Sequence, residues 1–305
     1  MERFTILSSN GKNELSAYLW SAEKPRAMLQ ISHGMCEHLL RYEGFAAYLA
    51  SLGILVFGHD HLGHGCTAQK DSDLGFIAPT NGAEHLIEDV YRLSRHMQKQ
   101  YPHLPLVLFG HSMGSFIARE VLARHGSDYA AAIICGTGGP ETPAGAGKLL
   151  ASLMMLLCGK RHRSPLLKSI AFAGYTKACG KGCDPNAWLT RDTKVVTAYN
   201  ADPRCGYLFT LQAYHDLFTL VQAVSHRNWA YRLPAELPLL LISGEDDPVG
   251  AYGKGVRTVA ERLKKAGVSD LTLRLYPAMR HEILNETEHE TVWSDIKQWL
   301  EQKLP

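Results

Sequence analysis

The sequence predicts an α/β protein with a mostly parallel central sheet, helices on both faces of the sheet and an inserted helical cap. Short runs that are apolar throughout, such as residues 106–109 and 239–242, are typical of strands buried on both faces of a parallel sheet. Segments with amphipathic helical spacing separate most of these runs. Between Gly136 and about Val221 only helical segments occur, which predicts a cap inserted between two strands.

The composition favours one large globular domain. The chain has 305 residues, of which 46% are hydrophobic and 20% charged, and its formal net charge of +2 gives no general attraction to nucleic acid. No apolar signal core or membrane-length run occurs, which predicts a cytoplasmic protein. Seven cysteines form an odd set without framework spacing, which favours reduced thiols. The composition predicts no particular oligomeric state.

The first half of the chain begins with a hairpin and then alternates strands with helices. In order, the predicted elements are a hairpin over 4–20 around Asn10-Gly11, a strand at 27–32, a helix over 42–52, a strand at 54–57, a helix from Asn81 to Tyr101 and a strand at 105–109. Gly53 is expected to end the first helix. Asn81 and Glu84 are expected to cap the second helix reciprocally.

The second half contains the cap, after which strands and helices alternate again. Its predicted strands are 130–135, 239–243 and 271–276, its last two helices centre on 256–263 and 292–300, and its cap helices are 149–157, 166–173, 192–199 and 209–221. We therefore divide the chain into a core over 1–137 and 221–305 and a cap over 138–220. The cap is expected to lie over the carboxyl ends of the strands.

A nucleophile elbow is predicted at Ser112. The apolar strand at 105–109 leads into Gly-His-Ser-Met-Gly and then directly into a helix, so the serine lies at a sharp bend between strand and helix. The bend brings the residues two before and two after Ser112 close together, which explains glycine at 110 and 114. Gly110 and Gly114 are thus expected to shape the elbow.

A nucleophilic serine needs a base, and the base needs a carboxylate to fix its tautomer. Asp247 lies in the loop after the strand at 239–243, and His281 lies in the loop between the next strand and the last helix. The chain order Ser112, Asp247, His281 is typical of α/β-hydrolases. Asp246 is the second choice for the acid, and Glu245 is interpreted as part of a solvated loop.

Two backbone amides are expected to bind the oxyanion of an acyl-transfer reaction. One belongs to Met113, which follows the nucleophile at a helix N-terminus. The other belongs to Met35, in the turn after the strand at 27–32. Losing one such donor typically costs about 3 to 4 kcal/mol of transition-state stabilisation.

Histidine-rich segments raise the alternative of a zinc site. Neither the set His59, Asp60, His61 and His64 nor the set His33, Glu37 and His38 has the spacing typical of a zinc enzyme. Cys179 and Cys183 have no second pair of ligands nearby in sequence. The sequence therefore predicts no metal site.

Four motifs together resemble the monoacylglycerol lipase and lysophospholipase family of α/β-hydrolases, to which serine aminopeptidase-like members are similar. These are His-Gly-Met-Cys-Glu-His at 33–38 with Arg41-Tyr42, His-Asp-His-Leu-Gly-His-Gly at 59–65, Gly-His-Ser-Met-Gly at 110–114 and Tyr-Pro-Ala-Met-Arg-His-Glu at 276–282. The likeness covers about residues 10 to 300. In the cap it is limited mainly to 188–192 and 202–206, which resemble bacterial members.

The resemblance implies an α/β-hydrolase fold and cleavage of carboxylic esters through an acyl-enzyme. It implies the same roles for Ser112, Asp247, His281 and the amides of Met35 and Met113, without a metal or organic cofactor. Family members commonly carry small residues where this chain has Met35-Cys36, so we expect a narrower acyl entrance.

The expected substrate is a small-molecule acyl ester, most simply a single-chain acyl glyceride or a lysophospholipid. One alternative is a short-chain carboxylesterase or a serine aminopeptidase with the same triad. Another, of a different class, is a hydrolase-like ligand-binding protein with little turnover.

The apolar run at 149–157, followed by the basic residues 160–163, has two interpretations. It is either a lid that admits an acyl chain and makes transient contact with lipid surfaces, or an ordinary packed helix followed by a solvated basic turn.

Overall fold

The computed structural model describes residues 1–140 and 143–304, and within them eight strands form one sheet. The strands are β1 (Glu2–Leu7), β2 (Glu14–Trp20), β3 (Ala27–Ser32), β4 (Ile54–His59), β5 (Leu106–His111), β6 (Ala131–Cys135), β7 (Leu239–Gly244) and β8 (Leu271–Tyr276). The helices of the described residues are α1 (Glu43–Ser51), α2 (Gly82–Gln100), α3 (Met113–His125), α4 (Ala144–Cys158), α5 (Pro165–Ala171), α6 (Thr193–Ala201), α7 (Leu211–Ser225), α8 (Lys254–Lys265) and α9 (His289–Lys303).

The strand order is β1-β2-β4-β3-β5-β6-β7-β8. The opening hairpin pairs antiparallel, as does β2 with β4, and all other neighbours are parallel. Strands β3 to β7 are buried along their whole length, which explains their apolar runs. The predicted fold class, a mostly parallel sheet between helices, is confirmed.

The order of the strands reverses around β3, because β4 lies on one side of it and β5 on the other. In an open α/β sheet the crevice for a ligand forms at the carboxyl ends of the strands near such a reversal. The turn after β5 that carries Ser112 lies beside this point.

Two apolar clusters fill the space on the two faces of the sheet. One joins apolar residues of α2, α3 and α8 to the sheet and extends into α4 and α7. The other joins α1 and α9 to the opposite face. The sheet therefore has helices on both faces, and the predicted cap is continuous with one of the two cores.

The chain between β6 and β7 contains α4, α5, α6 and α7 and adds no strand to the sheet within its described residues. Helix α4 begins five residues earlier than predicted and packs along α7, which continues to Ser225, past the predicted cap boundary at 220. Residues 141 and 142 of the predicted cap lie outside the described residues. The boundaries at 138 and 220 stay predictions.

The reciprocal cap predicted for Asn81 and Glu84 is wrong. Asn81 adopts a left-handed conformation with φ 55°, and its side chain makes no capping hydrogen bond. Glu84 instead accepts two hydrogen bonds from Arg124 in α3, at 2.6 and 2.9 Å. A cation on a neighbouring helix, which local sequence does not reveal, binds this carboxylate in place of the backbone.

Candidate active site

The turn between β5 and α3 holds Ser112 in a strained conformation, with φ 54° and ψ −120°. Its amide donates a hydrogen bond of 3.0 Å to the carbonyl of Cys135 at the end of β6. A Cβ at Gly110 would lie 2.5 Å from the carbonyl oxygen of Gly114, and a Cβ at Gly114 would lie 2.0 Å from that of Ser32. Neither position has room for a side chain, so both glycines are required by this turn.

Asp247 and His281 meet at the same edge of the sheet, because they follow the paired parallel strands β7 and β8. His281 Nδ1 lies 3.0 Å from Asp247 Oδ1, and both side chains are buried. The hydroxyl of Ser243 and the amide of Val249 also donate to this carboxylate, at 3.0 and 2.9 Å. The carboxylate therefore holds the imidazole in a fixed orientation through Nδ1 and leaves Nε2 for another partner.

The other two acids of the same loop do not contact His281. Asp246 is exposed, and the Glu245 carboxylate lies 3.9 Å from Arg257 on α8. Of the three carboxylates that the sequence offers in this loop, Asp247 is the one placed against the imidazole.

The pKa of Asp247 lies below its ordinary value. Burial by itself raises this pKa, but the charge and hydrogen bond of His281 and the donors from Val249 and Ser243 outweigh it. Asp247 is therefore ionised at neutral pH, as a carboxylate that stabilises an imidazolium must be.

Met35 and Met113 lie on the two segments that border Ser112. The loop after β3 comes so close to the elbow that a Cβ at Gly34 would lie 3.1 Å from the Cβ of Ser112. Met113 is the first residue of α3, so its amide has no acceptor within the helix. The backbone donors suggested by the sequence are thus carried by the loop and the helix that flank the serine.

A buried network of charged groups lies behind the elbow. The Glu37 carboxylate accepts hydrogen bonds from Tyr42 and Arg41, at 2.8 and 2.7 Å. Arg41 also makes two hydrogen bonds of 2.6 Å to Glu282, the neighbour of His281. His111 Nδ1 lies 3.0 Å from the Tyr42 hydroxyl and 3.4 Å from the Glu37 carboxylate. The network connects the loop after β3, the elbow and the loop after β8.

Opposite charges within this network offset the cost of burial. The pKa of Glu37 is raised by burial, but His111 and Arg41 bring it well below its ordinary value. Burial lowers the pKa of His111, but Glu37 outweighs this and raises it above its ordinary value. The sequence supplied these residues as motif members, but it contained no signal that they pair with one another.

Four buried histidines pack together beside the loop after β3. The ring of His33 lies 4.2 Å from that of His61 and 5.3 Å from that of His64, and the rings of His59 and His61 are 4.9 Å apart. Burial lowers the pKa of His33 to about 4 and those of His59 and His64 to about 3. These imidazoles are therefore neutral at pH 7. All four pack against one another, and His33, His61 and His64 also form hydrogen bonds.

A segment before α6 binds directly to the loop that carries His281. The ring of Trp188 lies 5.1 Å from the imidazole of His281, and the Leu189 carbonyl accepts a hydrogen bond of 2.7 Å from the amide of Glu282. Arg280 adds a hydrogen bond of 2.7 Å to the carbonyl of Ala187. This segment belongs to the part of the cap that resembles bacterial family members, but the sequence carries no signal that Trp188 packs on the imidazole.

None of the helices in the described residues combines the length and apolar content needed to cross a bilayer.

Comparison with known proteins identifies a family and several relatives that are named as hydrolases. The family model described as serine aminopeptidase, S33 matches residues 23–288. The monoacylglycerol lipase of Mycolicibacterium smegmatis is 30% identical over 92% of this chain and 91% of its own length. The human monoglyceride lipase is 29% identical over 98% of this chain and 90% of its own length. A carboxyl esterase of Bacillus coagulans, solved with glycerol, superposes with a TM-score of 0.93 at 29% identity, over 99% of this chain and 98% of its own.

Proposed function

The chain is an ester hydrolase of the serine aminopeptidase, S33 family, with the α/β-hydrolase fold, and we propose that it cleaves single-chain acyl glycerides through an acyl-enzyme on Ser112. The observation that carries the proposal is the 3.0 Å contact between His281 Nδ1 and Asp247 Oδ1. It leaves Nε2 as the nitrogen that would accept the serine proton.

Acylation would begin when His281 Nε2 removes the hydroxyl proton of Ser112 as its Oγ attacks the acyl carbonyl carbon. The carbonyl oxygen becomes an oxyanion, which the amides of Met35 and Met113 would stabilise. The ester C–O bond then breaks, and the alcohol leaves with the proton from His281. Asp247 stabilises the imidazolium during these steps.

Deacylation would repeat the sequence with water as the nucleophile. His281 takes a proton from water, the hydroxide attacks the acyl carbon, and the bond to Ser112 Oγ breaks with return of the proton to the serine. The products are a carboxylic acid and the regenerated hydroxyl, so the cycle requires no metal or organic cofactor.

A glyceride is favoured as substrate by the relatives that are named for it and by the apolar surface of the cap. The lipases of Mycolicibacterium smegmatis and human share at least nine-tenths of their length with this chain. Helices α4 and α5 expose large apolar side chains, with Leu156 83% and Leu157 88% accessible. Monomeric proteins rarely expose such a patch without a binding role.

The same patch supports transient contact with a lipid surface. Beside it, the basic run at 160–163 is held largely by the core. Lys160 donates to the Pro79 carbonyl at 2.6 Å, Arg161 stacks 3.9 Å from the centre of the Phe76 ring, and Arg163 donates to the carbonyl of Leu208. The exposed leucines, rather than the basic residues at 160–163, would therefore make the contact with lipid.

Hydrolysis of a graded substrate panel tests the proposal. The panel runs from acetyl and butyryl esters to long-chain monoacylglycerols, lysophosphatidylcholine and an aminoacyl anilide, with Ser112→Ala as control. We expect the highest kcat/KM on medium-chain or long-chain monoacylglycerols. Ser112→Ala should show no measurable hydrolysis of any substrate.

Each other maximum identifies one of the alternatives. A maximum at acetyl or butyryl esters would indicate a short-chain carboxylesterase, and one at the anilide would indicate an aminopeptidase. Sustained turnover of any substrate would end the hypothesis of a ligand-binding protein, whereas a single slow acylation of Ser112 would favour it.

A further inference from the structure

A second cluster of polar side chains lies outside the proposed catalytic residues. His38, in the loop after β3, meets Asp202 and Cys205, which follow α6. One potential ligand atom from each residue lies within 4.8 Å of the other two. No other such trio of histidine, cysteine, aspartate or glutamate groups occurs among residues 1–140 and 143–304.

The cluster is largely buried and accessible from one side. His38 and Cys205 are only 5% and 8% exposed, whereas the Asp202 side chain is 23% exposed and offers a route from solvent. His38 Nε2 lies 2.8 Å from Asp202 Oδ2, and its buried Nδ1 has no hydrogen-bond partner. The unpartnered nitrogen is not the one that faces Asp202, so Nε2 is the nitrogen that a cation shared with Asp202 would bind.

The Asp202 carboxylate is held at both oxygens, and its Oδ2 is hydrogen-bonded to another member of the trio. The amide of Arg204 donates a hydrogen bond of 2.8 Å to Oδ1, and the Arg204 Nε lies 3.5 Å from the same atom. Oδ2 is the oxygen that faces His38. A cation that bound both Oδ2 and His38 Nε2 would replace the hydrogen bond between these two atoms and leave the bonds at Oδ1 intact.

Nearby positive charge is already paired. Arg41, the buried cation whose charge acts on Cys205, binds the carboxylates of Glu37 and Glu282. The guanidinium of Arg204 lies 3.3 Å from the sulfur of Cys66 rather than that of Cys205. The trio can therefore offer one sulfur, one carboxylate and one imidazole to a cation; burial raises the pKa of the Cys205 thiol to about 12, so its proton has to leave when a metal binds.

We propose that His38, Asp202 and Cys205 form a binding site for one divalent cation of the zinc class. An imidazole, a thiolate and a carboxylate with one open position for water form a donor set that Zn²⁺ accepts in tetrahedral geometry. On binding, Cys205 Sγ forms the bond to the metal and its proton passes to solvent. With metal bonds of about 2.0 to 2.3 Å, tetrahedral ligand atoms lie roughly 3.3 to 3.8 Å apart, so His38 Nε2 and Asp202 Oδ2, which are now 2.8 Å apart, would separate by about half an ångström.

The bound ion would join the loop that carries Met35 to the chain after α6. These segments already touch, because Tyr199 and the amide of Gly206 both donate to the carbonyl of Cys36, at 3.0 Å each. A metal bound where these two segments meet would hold them together more firmly. The site is independent of the proposed substrate, since it includes none of the residues assigned to the reaction.

Spectroscopic titration of the purified, chelator-treated chain with Co²⁺ tests the site. A cysteine ligand gives a thiolate-to-cobalt charge-transfer band in the near ultraviolet, and we expect it to saturate at one ion per chain. Cys205→Ser should abolish the band. Cys66→Ser is the matched control, because this thiol lies beside Arg204 but outside the trio, and it should leave the band unchanged.

If Cys205→Ser fails to fold, a second variant, Asp202→Asn, and a stability measurement still test the site. Asp202→Asn should weaken Zn²⁺ binding by at least about tenfold. Saturating Zn²⁺ should raise Tm of the unaltered chain by about 2 to 4 °C, and that rise should be absent in Cys205→Ser. A cobalt band that persists in Cys205→Ser, or no stoichiometric binding of Co²⁺ or Zn²⁺ by the unaltered chain, would overturn the proposal.

Discussion

Arg41 and Glu282 form a buried two-point ion pair, with both guanidinium nitrogens Nη1 and Nη2 2.6 Å from the two carboxylate oxygens. Arg41 follows the loop of Met35, and Glu282 follows His281 directly. The pair therefore fixes the spacing between the segment proposed to bind the oxyanion and the segment that carries the proposed base.

Replacing Arg41 should both destabilise the fold and slow the reaction. Arg41→Gln leaves the buried carboxylates of Glu37 and Glu282 without their cation, which typically costs about 3 to 5 kcal/mol. We expect urea unfolding to show this loss, and kcat per folded molecule to fall more than KM changes. Arg41→Lys should restore part of kcat.

Arg124→Gln is the matched control for Arg41. Arg124 makes the same two-point contact with Glu84, but half of the Glu84 side chain is exposed. The buried Glu120, which Arg124 also approaches, keeps Arg232 as its partner. Its loss should cost less than about 1 kcal/mol, because water screens an exposed ion pair. Equal losses for the two arginine variants would contradict the role given to burial.

The proposed triad predicts unequal effects for two adjacent carboxylates. Ser112→Ala and His281→Ala should each lower kcat by about 10⁶, since triad members act as a unit, and Asp247→Asn by about 10⁴. Asp246→Asn should leave kcat within about twofold, because this side chain is exposed and does not contact the imidazole. Steady-state kinetics on one soluble ester checks all four variants, and a larger loss from Asp246→Asn would show that the acid was assigned wrongly.

The buried histidines predict a loss of stability in mild acid. His59 has a pKa of about 3 in the folded protein because of its burial, against about 6.5 when unfolded. Between these values the unfolded chain binds a proton that the folded chain does not, so stability falls as the pH falls below about 6.5. Burial lowers the pKa values of His33 and His64 in the same direction, so these residues add to the effect.

His59→Phe isolates one of these groups. Both ring nitrogens of His59 lack hydrogen-bond partners, so the variant loses no hydrogen bond. Between pH 7 and pH 4.5 its free energy of unfolding should fall by about 2 kcal/mol less than that of the unaltered chain. The exposed His103 provides the control, since His103→Gln should leave the pH dependence unchanged. Parallel urea titrations at the two pH values measure the difference.

The exposed leucines of α4 predict a dependence on the physical state of the substrate. The double variant Leu156→Gln, Leu157→Gln should lower hydrolysis of monoacylglycerol in vesicles several-fold, because it removes apolar area from the surface that would meet the lipid. Hydrolysis of a monomeric, water-soluble ester should stay unchanged. An equal effect on both substrates would indicate that these leucines act within the protein and not at a lipid surface.

The order of the core elements could be predicted from the sequence because the signals are local. A strand buried on both faces needs a continuous apolar run, and Ser112 at a strained bend needs glycine at 110 and 114. Both requirements fall within a few residues of one another, so periodicity and composition are sufficient to find them. Local signals were less reliable at helix ends, where Glu84 binds Arg124 instead of its own helix.

The sequence by itself determined the strand and helix alternation, the elbow at Ser112 and the two loops that offer Asp247 and His281, because each follows from residues that are neighbours in the chain. Only the tertiary structure put the carboxylate of Asp247 against His281, packed Trp188 on the same imidazole, paired Arg41 with Glu282 and brought His38 to Asp202 and Cys205. These contacts join residues far apart in sequence or depend on which side of a loop faces inward. The free energy of each contact depends on burial, on charge pairing and on the register between elements. These are fixed only when the sheet has assembled.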